Sequence, residues 1–308
     1  MLGDLVVQNL VNESVIATFV ISFVVSYLYC GLGITLGYHR LLTHKSLKVP
    51  KWLEYLIVSG GYFCLMGSPI IWVGVHRLHH LKSDQPGDPH SPRDGFSHAL
   101  YKWMLDPSYQ TNEEVRKVCA DLMDDPFYTK LGYEHTGYHA SLCLWINVAA
   151  RVLLLLVAGP VAVVASVLAT TIVFWSTQFV NTFCHMKDYG YRTFETREDS
   201  RNVWWVGLLA LGEGWHNNHH AMPKSARHGM EGIREFDITW VSIWLLEKVG
   251  LAKSVIRPNP AVRAAKLRKD EVHANMLYLG KPGGGHVQIA EEYNETQLVG
   301  VVSGSGKN

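Results

Sequence analysis

Long uncharged stretches set the pattern of this chain. Residues 14–39 contain no Asp, Glu, Lys or Arg, and residues 140–186 contain only Arg151. A membrane-crossing helix needs about 20 mostly apolar residues, so the first stretch predicts a span over about residues 15–38. The 43 residues of 140–182 are too many for one span and enough for two. Gly159-Pro160 lies near their centre and is a natural turn between antiparallel helices, which predicts spans over 141–158 and 161–182. Arg151 would cost about 2.5 kcal/mol or more at bilayer depth. It is therefore expected to face protein, a polar cavity or the membrane edge.

Two other apolar segments do not read as simple spans. Residues 55–75 are uncharged but interrupted by Ser59-Gly60-Gly61 and Gly67-Ser68-Pro69. Residues 203–211 (VWWVGLLAL) are too short to cross and, with paired Trp, read as an interfacial helix. Residues 259–308 are largely polar and end in Gly-Ser-Gly-Lys-Asn, which predicts a tail beyond a main domain of residues 1–258.

Composition sharpens this picture. Of 308 residues, 18% are charged, below the roughly 25% of a soluble protein. The net charge of +1 offers no basic face for nucleic acid. Five Cys without CxxC spacing read as small buried hydrophobes, neither a disulfide framework nor an iron–sulfur site. Residues 1–14 hold Asp4 and Glu13 but no Lys or Arg, so no signal-peptide basic region is present there. Nearly all Lys and Arg fall in residues 40–130 and from 187 onward, which orients those segments to the cytoplasm by the positive-inside rule.

Histidine supplies the candidate chemistry. The 16 His include three groups, HRLLTH at 39–44, HRLHH at 76–80 and HNNHH at 216–220, with His185 apart. In the second and third groups, spacings of three and four put the imidazoles within one helical turn. His39 and His44 are five apart, which on a regular α-helix turns the rings about 140° from each other, so His44 must lie past a helix end or a distortion. A lone His beside an apolar segment is usually an ordinary core or surface residue. Three groups that can meet on one side of a membrane are not. That meeting sets a parity condition: residues 55–75 must return to the side they left, as a re-entrant or interfacial segment, and two spans within 140–182 must bring His185 back.

Eight or nine neutral imidazoles exceed the four to six ligands of one ion, so two metals fit better. Imidazole suits iron, copper and zinc alike. Acyl chains in a membrane have unactivated C–H bonds that need an oxidant, which makes an oxygen-activating pair of irons the economical reading. Soluble di-iron bundles use Glu and Glu-x-x-His instead.

The motifs GLGITLGYHRLLTH (31–44), WVGVHRLHHLKSDQPGDPH (72–90), FVNTFCH (179–185) and GEGWHNNHHAMPKSARHG (212–229) resemble the membrane fatty acyl desaturases with three histidine boxes, of the bacterial and cyanobacterial Δ9 type. The likeness covers residues 31–251. It implies an all-α integral membrane protein whose transmembrane helices carry a cytoplasmic helical cap with a His-rich di-metal site, in a bacterial inner membrane. It implies His39, His44, His76, His79, His80, His185, His216, His219 and His220 as ligands of two irons, and Asn181 as the holder of a water on one of them. Trp72 and Thr177 match positions at the bend of the substrate tunnel, with ordinary packing as the alternative. Asp84, Asp88 and Glu213 are candidates to orient ligand imidazoles, although Asp84 and Asp88 also suit a turn beside Pro86 and Pro89. The implied reaction is O2-dependent desaturation of an acyl-lipid or acyl-CoA chain, with electrons from a carrier such as ferredoxin or cytochrome b5.

This chain departs from the family in three places. Gly74-Val75 replaces an Arg-Asp pair of animal acyl-CoA enzymes, which favours an acyl-lipid substrate. Met66 stands where a Gln is frequent near the bend. The family has four spans, one of them before the position of Ser14, and residues 1–14 are too few to supply it. Two other functions compete: a hydroxylase on the same scaffold, and a His-rich metal transporter. The transporter would need ligands at midplane, whereas these His sit at span ends.

Overall fold

The structure is a computed structural model that describes residues 2–105, 111–134 and 138–268, with backbone alone at 2–12 and 138–140. The described residues are helical, with no β-strand beyond isolated bridges. Helix α1 (Leu2–Leu32) runs without a break into a π-helix, Gly33–Thr43. Helix α2 (Lys51–Phe63) packs back along them, and α3 (Pro69–Lys82) follows after a short turn. Short helices α4 (Phe96–Leu100), α5 (Asn112–Val118), α6 (Ala120–Met123) and α7 (Pro126–Leu131) follow, of which α5 and α7 pack against α3. The long α8 (Tyr138–Phe183) precedes α9 (Trp204–Leu209), α10 (His216–Ala221), α11 (Ile238–Lys248) and α12 (Pro260–Lys266).

Two helices, Glu13–Thr43 and Ser141–Phe183, are long and apolar enough to cross a membrane. The second is folded in two. Gly159 adopts φ 79°, a left-handed conformation that only glycine takes without strain. An Arg151 nitrogen lies 2.6 Å from Thr170 Oγ1, although a straight helix would hold residues 19 apart at about 28 Å. The helix therefore reverses at Gly159-Pro160. Leu156 and Val157, next to the reversal, are each 78% exposed. Apolar side chains so bare are what a lipid-facing surface requires.

Residues 55–75 leave one end of the molecule and return to it. Along α2, Val58 lies beside Gly37, Gly60 beside Gly33, and the Phe63 ring 6.0 Å from the Tyr29 ring. By its end α2 has therefore reached the level of Tyr29, about 15 Å of helix from His39. A Cβ on Gly33 would lie 2.4 Å from Gly60 Cα, so the crossing exists only because both residues lack side chains. The carbonyls at the end of α2 have no helical successor. Asn147 Nδ2 donates to Phe63 O at 2.5 Å and Arg151 donates to it at 3.2 Å. Arg151 thus faces protein, as its cost in a membrane demands. Helix α3 starts at Ser68, whose Oγ accepts from Ile71 N–H, with Pro69 in the first turn, and it climbs back to the histidines.

Helix α9 falls within the expected interfacial stretch, with Trp204 62% exposed. All five Cys are free and buried. Residues 259–268, within the stretch that the polar pattern assigns to a tail, include the short helix α12, which touches the rest of the chain. Asn259 caps α12 by accepting from Ala261 N–H, and Lys266 Nζ donates to Ala221 O at 2.7 Å. The remaining tail, 269–308, lies outside the described residues.

Candidate metal centre

The π-helix solves the spacing problem of the first histidine pair. Its i→i+5 bonds, such as His44 N–H to His39 O at 3.1 Å, stretch each turn to about 4.4 residues. Five residues then advance about 50° beyond a full turn instead of about 140°. His39 and His44 consequently share a face, with ring centroids 4.8 Å apart.

Nine imidazoles assemble into two clusters. His39, His44, His76, His80 and His219 form one, and His79, His185, His216 and His220 the other; within each, one ligand atom per residue lies within 4.8 Å of all the rest. The helical spacing explains the division. His76 and His80 are four apart and face the five-member cluster, while His79, about 100° around α3 from His80, faces its neighbour. On α10 the split is reversed: His219 joins the first cluster, and His216 and His220 the second.

Carboxylates hold the far side of several rings. His39 Nδ1 lies 2.6 Å from Glu213 Oε2, His79 Nδ1 2.9 Å from Asp88 Oδ1, and His185 Nδ1 2.8 Å from Asp84 Oδ2. Asp84 and Asp88 serve the turn as well, since Asp88 Oδ2 accepts from Asp84 N–H and Asp84 has a positive φ. Burial alone would raise both carboxyls, but His185 and His79 respectively outweigh it and hold them well below the usual range. Glu213 is likewise held down, against burial, by His39, His228 and Arg40. Burial, reinforced by repulsion between the rings, pushes His44, His76, His80, His216, His219 and His220 well below the ordinary imidazole value. These rings are neutral at pH 7, as ligands must be. Burial also opposes protonation of His185, but Asp84 wins and raises it.

The donor set fits metal ions. A carboxylate can only accept, so His39, His79 and His185 carry their protons on Nδ1 and present Nε2 lone pairs. Yet His39 Nε2 sits 3.1 Å from His219 Nε2, and His185 Nε2 3.1 Å from His216 Nε2. The Nε2 atoms of His44 and His79 are buried with no hydrogen-bond partner. Two nitrogens each about 2.1 Å from one ion and at right angles stand about 3 Å apart. Lone pairs converging at this separation make sense around a cation.

A narrow apolar pocket opens against both clusters. His39 and His76 of the first cluster and His216 of the second line it, with Glu213, Trp72, Thr177 and Asn181. Its free volume is ≈ 30 Å³, space for a water or two. Trp72 stacks on His76 at 5.0 Å. Thr177 Oγ1 donates to Val173 O within its own helix, and Asn181 Nδ2 lies 3.4 Å from Gln178 Oε1.

Several buried groups around the histidines have no obvious signature in the sequence. Glu198 Oε1 is 3.4 Å from His220 Nδ1. His228 stands 3.2 Å from Glu213, and His90 packs on His79 with ring centroids 4.3 Å apart. Arg40, fully buried, meets Glu213 and Asp237. Arg40, His90 and His228 lie inside the quoted motifs, so proximity to the boxes was their one available signal. Glu198 and Asp237 had none.

Comparison with known proteins agrees with this geometry. The model of the fatty acid desaturase family matches residues 14–231. The sn-1 stearoyl-lipid 9-desaturase of Anabaena variabilis is 43% identical over 226 residues, 73% of this chain and 79% of that protein. The sn-2 palmitoyl-lipid 9-desaturase of Nostoc sp. (strain 36) is 41% identical over 238 residues, 76% and 80% of the two chains. The chloroplastic palmitoyl-monogalactosyldiacylglycerol delta-7 desaturase of Arabidopsis thaliana is 42% identical over 239 residues, covering 76% of this chain and 61% of that one.

Proposed function

The chain belongs to the fatty acid desaturase family, and from that membership we propose that it inserts a cis double bond at C9–C10 of an acyl chain esterified in a membrane lipid. Two irons held by the nine histidines are the proposed cofactor, O2 the co-substrate, and a small one-electron carrier of the ferredoxin or cytochrome b5 kind the electron donor. The observation that carries this reading is the pair of imidazole clusters set against an apolar pocket between candidate membrane helices. Bound iron would supply O2 activation and removal of hydrogen from an unactivated C–H bond.

The chain's own residues do the rest. Asp84, Asp88 and Glu213 fix the Nδ1–H of His185, His79 and His39, so that the opposite nitrogens face the metals. Asn181, which lines the pocket, would hold a water there. Trp72 and Thr177 shape the wall past which the acyl chain bends, while Ile34, Val173 and Leu211 keep bulk water out. The distribution of Lys and Arg supports a cytoplasmic position for the clusters, in a bacterium at the inner membrane, with α2 and α3 as a proposed re-entrant pair.

The test is expression with an electron donor, followed by gas chromatography of lipids sorted by head group and double-bond position. A new Δ9 monounsaturated chain on a membrane lipid is the expected product. An alcohol would point to a hydroxylase, and no new lipid from iron-loaded protein would refute both.

A further inference from the structure

Asp237 lies outside all the histidine boxes and beyond residues 14–231 that match the family, yet it closes a buried chain of contacts that ends on a ligand. It is 4% exposed. Its Oδ1 and Oδ2 take both arms of the Arg40 guanidinium, at 3.0 and 3.2 Å. Oδ2 also accepts from His228 N–H at 2.9 Å, and Oδ1 from Trp240 N–H at 2.8 Å, capping α11. The guanidinium, 0% exposed, reaches Glu213 Oε1 at 3.2 Å. Glu213 Oε2 in turn is 2.6 Å from His39 Nδ1.

We propose that Asp237, acting through Arg40 and Glu213, is a positioning residue for His39 and so for the five-histidine cluster alone. This rests on the two-metal reading above. With Asp237 in place, Arg40 spends its fork on Asp237 and offers Glu213 a single nitrogen, leaving Oε2 free to face His39. Without that charge, a guanidinium with one remaining carboxylate pairs with it through both oxygens, its preferred geometry, and draws Glu213 from the ring. The four-histidine cluster has its own carboxylates, Asp84, Asp88 and Glu198. None of the contacts of Asp237 reaches them.

Asp237→Asn keeps an oxygen to cap α11 while the charge and the acceptor shared by Arg40, His228 N–H and Gly229 N–H are lost. The full chain in detergent is stripped of metal and titrated with cobalt(II), read by visible absorption. Arg257→Gln, which breaks the exposed Arg257–Glu247 pair, is the control. Wild type and control are expected to bind two cobalt ions per chain. Asp237→Asn is expected to keep one at wild-type affinity and to bind the other about 10–100-fold more weakly. If Asp237→Asn melts lower, Arg40→Lys, which cannot span both carboxylates, is read the same way and decides. Two ions at wild-type affinity in the variant, or parallel weakening of both, would overturn the proposal. Fewer than two ions in wild type would overturn the two-metal reading itself.

Discussion

His44, His76, His80, His216, His219 and His220 have each been pushed by burial well below the usual imidazole range, and His90 down to about 3. In the unfolded chain they titrate near 6.5. As pH falls through about 6.5, the unfolded metal-free chain takes up protons that the folded one refuses, so stability is lost on that side. His185, raised by Asp84, works in the opposite direction but stands alone against them. Asp84, Asp88 and Glu213, held low, add a further loss below about pH 4. The denaturation midpoint of the metal-stripped protein should therefore fall between about pH 7 and pH 5; a midpoint that rises would contradict neutral, inward-facing rings. At this scale the clustered histidines were legible because spacing within a box survives folding, and Asp84, Asp88 and Glu213 because they sit within or beside boxes. Glu198 and Asp237 were not. The His220 partner of Glu198 stands 22 residues away and the Arg40 partner of Asp237 stands 197 away, and no local pattern encodes such a pairing.

Among the elements, the π-helix and the α2–α3 pair do most to bring the boxes together. The five-residue spacing of His39 and His44 demanded a distortion, and that much could be read; its form, a π-helix of 11 residues, could not. The return of residues 55–75 followed from parity, whereas the Gly33–Gly60 crossing that permits it depends on two backbones meeting across unrelated sequence. Gly33→Leu tests that crossing. A side chain there meets backbone, not a flexible neighbour, so α2 must move away from the π-helix. We expect a loss of about 1–3 kcal/mol or more in stability, with a lower melting temperature and reduced iron content by mass spectrometry. Wild-type melting and iron content would show that the helices are not in contact there. The reversal at Gly159-Pro160 was the most legible element, because glycine, proline and a doubled apolar run each require it.

In the whole molecule, an apolar belt on α1 and α8 and a polar cap enclosing the histidines are legible as charge pattern before any contact is known. Regiochemistry is not legible in this way. Relatives named for 9-desaturation and for delta-7 desaturation match at 43% and 42% identity, so overall likeness does not assign the bond position. What unites the molecule is the gathering of nine imidazoles from four segments into two adjoining clusters. The most direct measurement is crystallography of the iron-loaded protein with anomalous scattering at the iron edge. The expected result is two iron peaks, one ringed by His39, His44, His76, His80 and His219, the other by His79, His185, His216 and His220. A single peak, or peaks bounded by other residues, would contradict it.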